Sequence, residues 1–152
     1  MDAAFVWIAA GFGSGRLPYA PGTWGSLVAW LMALPVFLAG AGWWLAAMAC
    51  VALVLGMVAV ARIVPAGDDP PWVVIDEWAG VWAALALVVW VSPTLWAALA
   101  TLVVFRVLDI TKPWPIARLE RMSPGWMAVM LDDWAAGLMS GVVVALAFGG
   151  VA

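Results

Sequence analysis

The sequence contains no histidine, a single cysteine, a single tyrosine and few charges. Without histidine, the side chain that ordinarily titrates near neutral pH and most often ligates transition metals is missing. Any base or metal ligand must therefore be a carboxylate, a hydroxyl or water, a donor set that favours hard cations such as magnesium. One cysteine excludes both an internal disulfide framework and a cysteine-based zinc site. Cys50 lies in an apolar run and reads as a small hydrophobe facing a neighbouring helix or lipid. Charged residues make up only 10% of the chain, and the mean hydropathy of +1.11 lies far from that of soluble domains. The N-terminal run has no basic residue before it and reads poorly as a cleaved signal peptide.

The composition that remains is 68% apolar in 152 residues, which fits one domain, 1–152. Apolar runs predict helices over about 24–40, 43–64, 72–91, 94–110 and 126–150, each near or above the roughly 17–25 residues that span a bilayer. The run over about 3–13 is too short to span and reads as interfacial or re-entrant. Breakers separate the runs at Gly40 with Gly42, Pro65 to Pro71, Ser92-Pro93 and Lys112 to Pro124. The expected fold is an all-α integral membrane protein, a polytopic bundle of about five transmembrane helices plus the short N-terminal segment. Many of the tryptophans, including Trp24, Trp43, Trp44, Trp72, Trp90, Trp114 and Trp126, fall near run ends, where interfacial belts form. Gly137 and Gly141 have the small-xxx-small spacing that lets helix backbones approach.

Charge sets the expected orientation. If the run after Arg16–Gly22 goes outward, the uncharged loops 40–42 and 92–93 share one side. All six Lys and Arg residues then share the other, which the positive-inside rule makes cytoplasmic.

The few acids are placed where they are costly. Asp68-Asp69, Asp76-Glu77, Asp109 and Asp132-Asp133 interrupt or border the apolar runs, and ionisable groups at membrane depth point to function. Asp76 and Glu77 are adjacent, so on a helix they diverge by about 100°. They cannot share one small ion unless another helix adds ligands; the alternative role is placement near the positive end of the helix dipole. Arg106, Asp109 and Lys112 recur every three residues and share one helix face, either as an ion-pair ladder or as a carboxylate between two phosphate-binding cations. Asp132 and Asp133 lie about two turns inside the last run and should face the bundle interior. The segment Gly11–Ser26 is rich in glycine and hydroxyls and carries Arg16. It could cradle a phosphate through backbone, Ser14, Thr23 and Ser26, or form a re-entrant turn with a helix cap. It is not a Walker loop. Carboxylates from several helices with Arg and Lys beside them suit magnesium-assisted phosphoryl chemistry.

Four stretches, GSGRLPYAPGTWGS, DDPPWVVIDEWAG, FRVLDITKPWPI and VMLDDWAAG, together resemble the phosphatidylglycerophosphatase A family in the family's order. The resemblance implies an integral membrane phosphatase that uses Mg2+ to convert phosphatidylglycerophosphate to phosphatidylglycerol in the bacterial cytoplasmic (inner) membrane. Its motif residues fall on Asp69, Asp76, Glu77, Arg106, Asp109, Lys112, Asp132 and Asp133. The partner it implies is a phospholipid in the membrane, with no nucleic acid and with the oligomeric state open. Three departures stand out: Pro124-Gly125-Trp126-Met127-Ala128 where the family tends to His-Gly-Gly-x-Gly, Glu120 where aspartate is usual, and Arg16 where an apolar residue is common.

Taken together, Asp76, Glu77, Asp109, Asp132 and Asp133 are the expected metal ligands. Asp76, Asp109 and Asp133 are the catalytic candidates among them. Arg106 and Lys112, with Ser14, Thr23 and Ser26, are the expected phosphate binders, and Asp69 and Arg16 are secondary candidates. A water-orienting carboxylate is preferred to a covalent aspartyl-phosphate. A cation or proton transporter is the main rival, but it calls for acids through the membrane depth, and here they sit at one edge. A non-catalytic lipid-binding subunit would explain the basic loop but not the paired acids. The Asp-Gly start of the CDP-alcohol phosphotransferase signature is absent.

Overall fold

The computed structural model describes residues 3–65, 68–119, 121 and 125–150. Among them there is no strand. Helix α1 (Ala3–Ala9) and a 3-10 segment (Gly11–Arg16) precede α2 (Pro21–Leu38), α3 (Gly42–Ile63), α4 (Ile75–Val88), α5 (Leu95–Thr111), the single turn α6 (Ile116–Leu119) and α7 (Gly125–Gly149). The departures at Glu120 and Pro124 lie outside the described residues.

Three helices, α2, α3 and α7, are long and apolar enough to cross a membrane. Helix α5 has 17 residues and α4 only 14. At 1.5 Å per residue α4 is about 21 Å long, shorter than a roughly 30 Å hydrocarbon core. The run expected over 72–91 is thus trimmed at both ends. At the start, the Val73 amide closes a turn onto the Pro70 carbonyl at 3.0 Å, and the Val74 amide donates to the Ala9 carbonyl at 2.9 Å rather than into a helix. At the other end, turn bonds close residues 88–92. Every residue of α4 except Leu87 is buried, because α4 is the central helix, packed against α2, α3, α5 and α7. A helix walled by protein has no lipid to match.

Helix α2 begins at Pro21, three residues before the apolar run does. Proline suits the first turn of a helix, where its missing N–H costs nothing, and Ala20 turns the chain with φ 43°. This shift brings Gly22 and Thr23 into the first turn. Buried tryptophans then tie the helices together. The Trp30 indole donates to the Ala98 carbonyl and Trp82 to that of Ala29, both at 2.8 Å. Trp43, Trp44, Trp90, Trp96 and Trp114 are exposed near helix ends, and Cys50 is exposed on α3.

The tightest helix crossing is between α4 and α7. A side chain at Gly137 would strike the Gly80 backbone, and one at Gly141 would meet the Ala84 carbonyl at 3.0 Å. The pairs 80 with 137 and 84 with 141 advance together, so the two helices run parallel. Contacts of Gly22 with Glu77 and Gly25 with Val74 bring the start of α2 to the start of α4. The first turns of α2 and α4, the early turns of α7 and the last turn of α5 therefore gather at one end of the bundle. The opposite halves of these helices carry no charged residue.

Candidate active site

Asp76 and Glu77 occupy the first turn of α4, and Asp133 lies one turn before Gly137 on the parallel α7. Because the two glycines let the backbones touch, Asp133 falls beside the α4 pair. One carboxylate oxygen from each of Asp76, Glu77 and Asp133 lies within 4.8 Å of the other two. The divergence of Asp76 and Glu77 on their own helix is thus bridged by a ligand from a second one. Asp76, Glu77, Asp109, Asp132 and Asp133 are only 4–9% exposed.

Two cations accompany them. On the last turns of α5, the Arg106 guanidinium donates to Asp109 and, at 3.3 Å, to the Ser26 hydroxyl of α2. It also reaches Thr23 Oγ1 at 3.4 Å and lies 3.9 Å from Glu77 Oε1. Lys112 caps α5 in the left-handed region with φ 42°, which turns its chain toward α7, and its Nζ sits 2.8 Å from Asp132 Oδ2. The acids therefore divide. Asp109 and Asp132 are closely paired to the cations and Glu77 makes a longer pair with Arg106 at 3.9 Å, whereas Asp76 and Asp133 have no cation within ion-pair distance among the described residues.

These groups line a cavity of about 270 Å3 that opens at the charged end of the bundle. Asp69, Pro70 and Pro71 form part of its wall, with Pro21, Gly22 and Thr23 from α2. Ser26 acts through Arg106 rather than by lining the cavity, and its own hydroxyl donates to the Gly22 carbonyl at 2.7 Å. Ser14 also lies outside. Its hydroxyl donates to the Gly11 carbonyl and accepts from the Trp78 indole, fastening the glycine-rich segment to α4. Arg16 is remote, its guanidinium stacked over Trp7. The glycines of this segment mainly admit close packing. A Cβ at Gly15 would overlap the Trp72 carbonyl, and one at Gly22 would overlap Glu77 Oε1.

Gly22 and Ser26 have functions that their types alone do not announce, since one yields room to Glu77 and the other holds Arg106. The signal available in sequence was the i, i+4 spacing of the two on an early helix start.

The donor set suits a hard divalent cation. All three converging ligands are oxygens. Glu77 Oε2 is buried without a hydrogen-bond partner among the described residues, an arrangement that is costly unless something occupies it. The carboxylates lining the cavity also outnumber Arg106 and Lys112, and buried charge of one sign requires compensation.

Comparison with known proteins agrees with this chemistry. A protein of Bacteroides thetaiotaomicron named "Putative phosphatidylinositol-3-phosphatase" is 35% identical over 93% of this chain and 92% of its own length. The phosphatidylglycerophosphatase A of Escherichia coli is 36% identical over 88% of this chain and 77% of its own. That of Haemophilus influenzae is 33% identical over 90% and 84%. No solved structure matches the chain. The family model for phosphatidylglycerophosphatase A matches residues 7–148, so with its buried acids, paired cations and apolar helices the chain belongs to the phosphatidylglycerophosphatase A family.

Proposed function

We propose that this protein releases the terminal phosphate of phosphatidylglycerophosphate, a phosphoric monoester, at the cytoplasmic face of the bacterial inner membrane, with Mg2+ as cofactor. The observation that carries the reading is the meeting of Asp76, Glu77 and Asp133 beside two ion-paired cations in one cavity at the charged end of the bundle.

Asp76, Glu77 and Asp133 would hold the cation, with Asp109 and Asp132 close enough to complete its surroundings. Once bound, the ion supplies charge neutralisation at the phosphate oxygens and activates water. Arg106 and Lys112 present N–H donors to the non-bridging oxygens, where charge grows in the transition state. Asp109, Ser26 and Thr23 fix the guanidinium, and Asp132 fixes the ammonium. A carboxylate of the group takes the proton of the attacking water. The water oxygen bonds to phosphorus, the phosphorus–oxygen bond to glycerol breaks, and the glycerol oxygen leaves as an alcohol on receiving the proton that the carboxylate took from the water. Asp69, at the mouth, would meet the glycerol side of the headgroup.

Purified protein should release phosphate from phosphatidylglycerophosphate, lose that activity in EDTA and regain it with magnesium. Undiminished activity in metal-free buffer would overturn the cation requirement. Phosphatidylinositol 3-phosphate belongs in the same assay, given the name of the Bacteroides relative. Preference for it would reassign the substrate while keeping the reaction.

The chain crosses five times, with α4 and α5 as the short crossings, in an orientation that the charge distribution supports. In a variant lacking Cys50, cysteines at Ala41 and Pro93 should react with an impermeant thiol reagent added outside intact cells. A cysteine at Arg118 should react only after lysis. Labelling at 118 from outside would reverse the orientation.

A further inference from the structure

The acidic cavity accounts for the headgroup of a phospholipid but leaves its tails unplaced. A second, apolar groove of about 370 Å3 runs along α5, lined by Leu102, Val103, Arg106, Val107, Ile110 and Thr111. Val103, Val107 and Ile110 are exposed on this face. Arg106 is the one residue among those described that lines both this groove and the acidic cavity. The other apolar grooves, on α3 and α7, share no lining residue with the cavity.

Polarity along the groove also has a direction. Residue 111 lies at the charged end of the bundle, next to Lys112, and residue 102 lies toward its middle, about 14 Å away along the helix. An amphiphile laid on α5 with its tail toward Leu102 would bring its anionic end to Arg106 and Lys112.

We propose that the α5 groove seats an acyl chain of the anionic phospholipid substrate, whose headgroup turns past Arg106 into the acidic cavity. This inference rests on the reading of the chain as a lipid phosphatase. It adds the side from which the lipid arrives, laterally across α5 rather than past α3 or α7. Ordinary annular lipid would cover every apolar face equally, whereas the substrate site is specific to the face that shares Arg106.

The test uses the full chain in phosphatidylcholine nanodiscs with a trace of phosphatidylglycerophosphate carrying a diazirine midway along one acyl chain. After photolysis, adducts should concentrate at residues 102–111. Excess unlabelled phosphatidylglycerophosphate should displace them, and added phosphatidylcholine should not. Even labelling of α3 and α7, or displacement by phosphatidylcholine, overturns the proposal. Independently, Val107→Trp should raise KM for the long-chain substrate about tenfold or more, by displacing two or three methylenes from contact. It should leave hydrolysis of the deacylated headgroup unchanged. Val54→Trp in the α3 groove should alter neither. A Val107→Trp protein with unchanged long-chain KM, or one that loses both substrates equally, counts against the groove. Should the wild-type protein show displaceable labelling at α5 yet release no phosphate, the phosphatase reading fails and the lipid site stands.

Discussion

Asp76→Asn and Asp133→Asn should each lower phosphate release by about a thousandfold or more while the protein stays folded in the membrane. The kinetic magnitude follows from removing a ligand of a catalytic cation, or a group acting on charge that develops at phosphorus. The stability expectation has the opposite sign. Both side chains are almost wholly buried, face other carboxylates, and have no cation within ion-pair distance among the described residues. Asparagine preserves size and removes a like charge, so thermal stability in detergent should hold or rise. Glu77→Gln should lose rate in the same way, but it also gives up the 3.9 Å pair with Arg106, so its stability should hold less well. Asp109→Asn and Asp132→Asn should differ, because each removes a carboxylate that pairs closely with a cation, Asp109 with Arg106 and Asp132 with Lys112. They should cost stability and weaken substrate binding along with rate. Activity and melting temperature measured on all five variants separate the two classes. Near-normal phosphate release by the Asp76 and Asp133 variants would make those carboxylates structural and remove the basis of the metal site.

That division into two classes was only partly legible in the sequence. Acids interrupting apolar runs marked Asp76, Glu77, Asp109, Asp132 and Asp133 as a set, because intramembrane charge is costly enough to need a reason. The three-residue spacing of Arg106, Asp109 and Lys112 suggested one helix face, which holds for Arg106 and Asp109, whereas Lys112 lies past the end of α5. Which acid meets which cation depends on how α5 lies against α7 and α2, and no local pattern encodes that. Lys112 pairs with Asp132 rather than with Asp109 on its own helix, because the left-handed residue at the end of α5 turns the chain toward α7. Ser14 and Ser26 show the same limit. Their hydroxyls suit a phosphate loop by type, but in the fold one secures the glycine-rich segment to Trp78 and the other holds Arg106. Helix lengths were legible in α3 and α7, where apolar runs end at clear breakers. They were less so in α4, where apolar residues on either side of the helix are drawn into turns and into a bond with α1. A buried helix and its apolar flanks look alike in composition.

Gly80→Ala and Gly137→Ala should each reduce both stability and activity, and their stability effects should be less than additive. A methyl at Gly137 overlaps the Gly80 backbone, and one at Gly80 comes within 2.5 Å of the Asp133 carbonyl and 2.6 Å of the Phe105 ring. Neither obstacle is the tip of a flexible side chain that can swing away, apart from the ring. The helices must therefore separate, at a cost of about 1–3 kcal/mol for each substitution by analogy with overpacked cores. Separation also reaches the site, because Asp76 and Asp133 stand one turn before these glycines on the parallel helices. A displacement of about 1 Å between them should lower the rate by about a hundredfold. Once one methyl has opened the crossing, the second enters a gap already made. The double variant should then be more stable than the sum of the single effects implies, by about 0.5 kcal/mol or more, as neighbouring sites show. Strict additivity in thermal or denaturant unfolding would mean that the two glycines act at separate contacts. The same result would detach Asp133 from the helix crossing that places it beside Asp76 and Glu77.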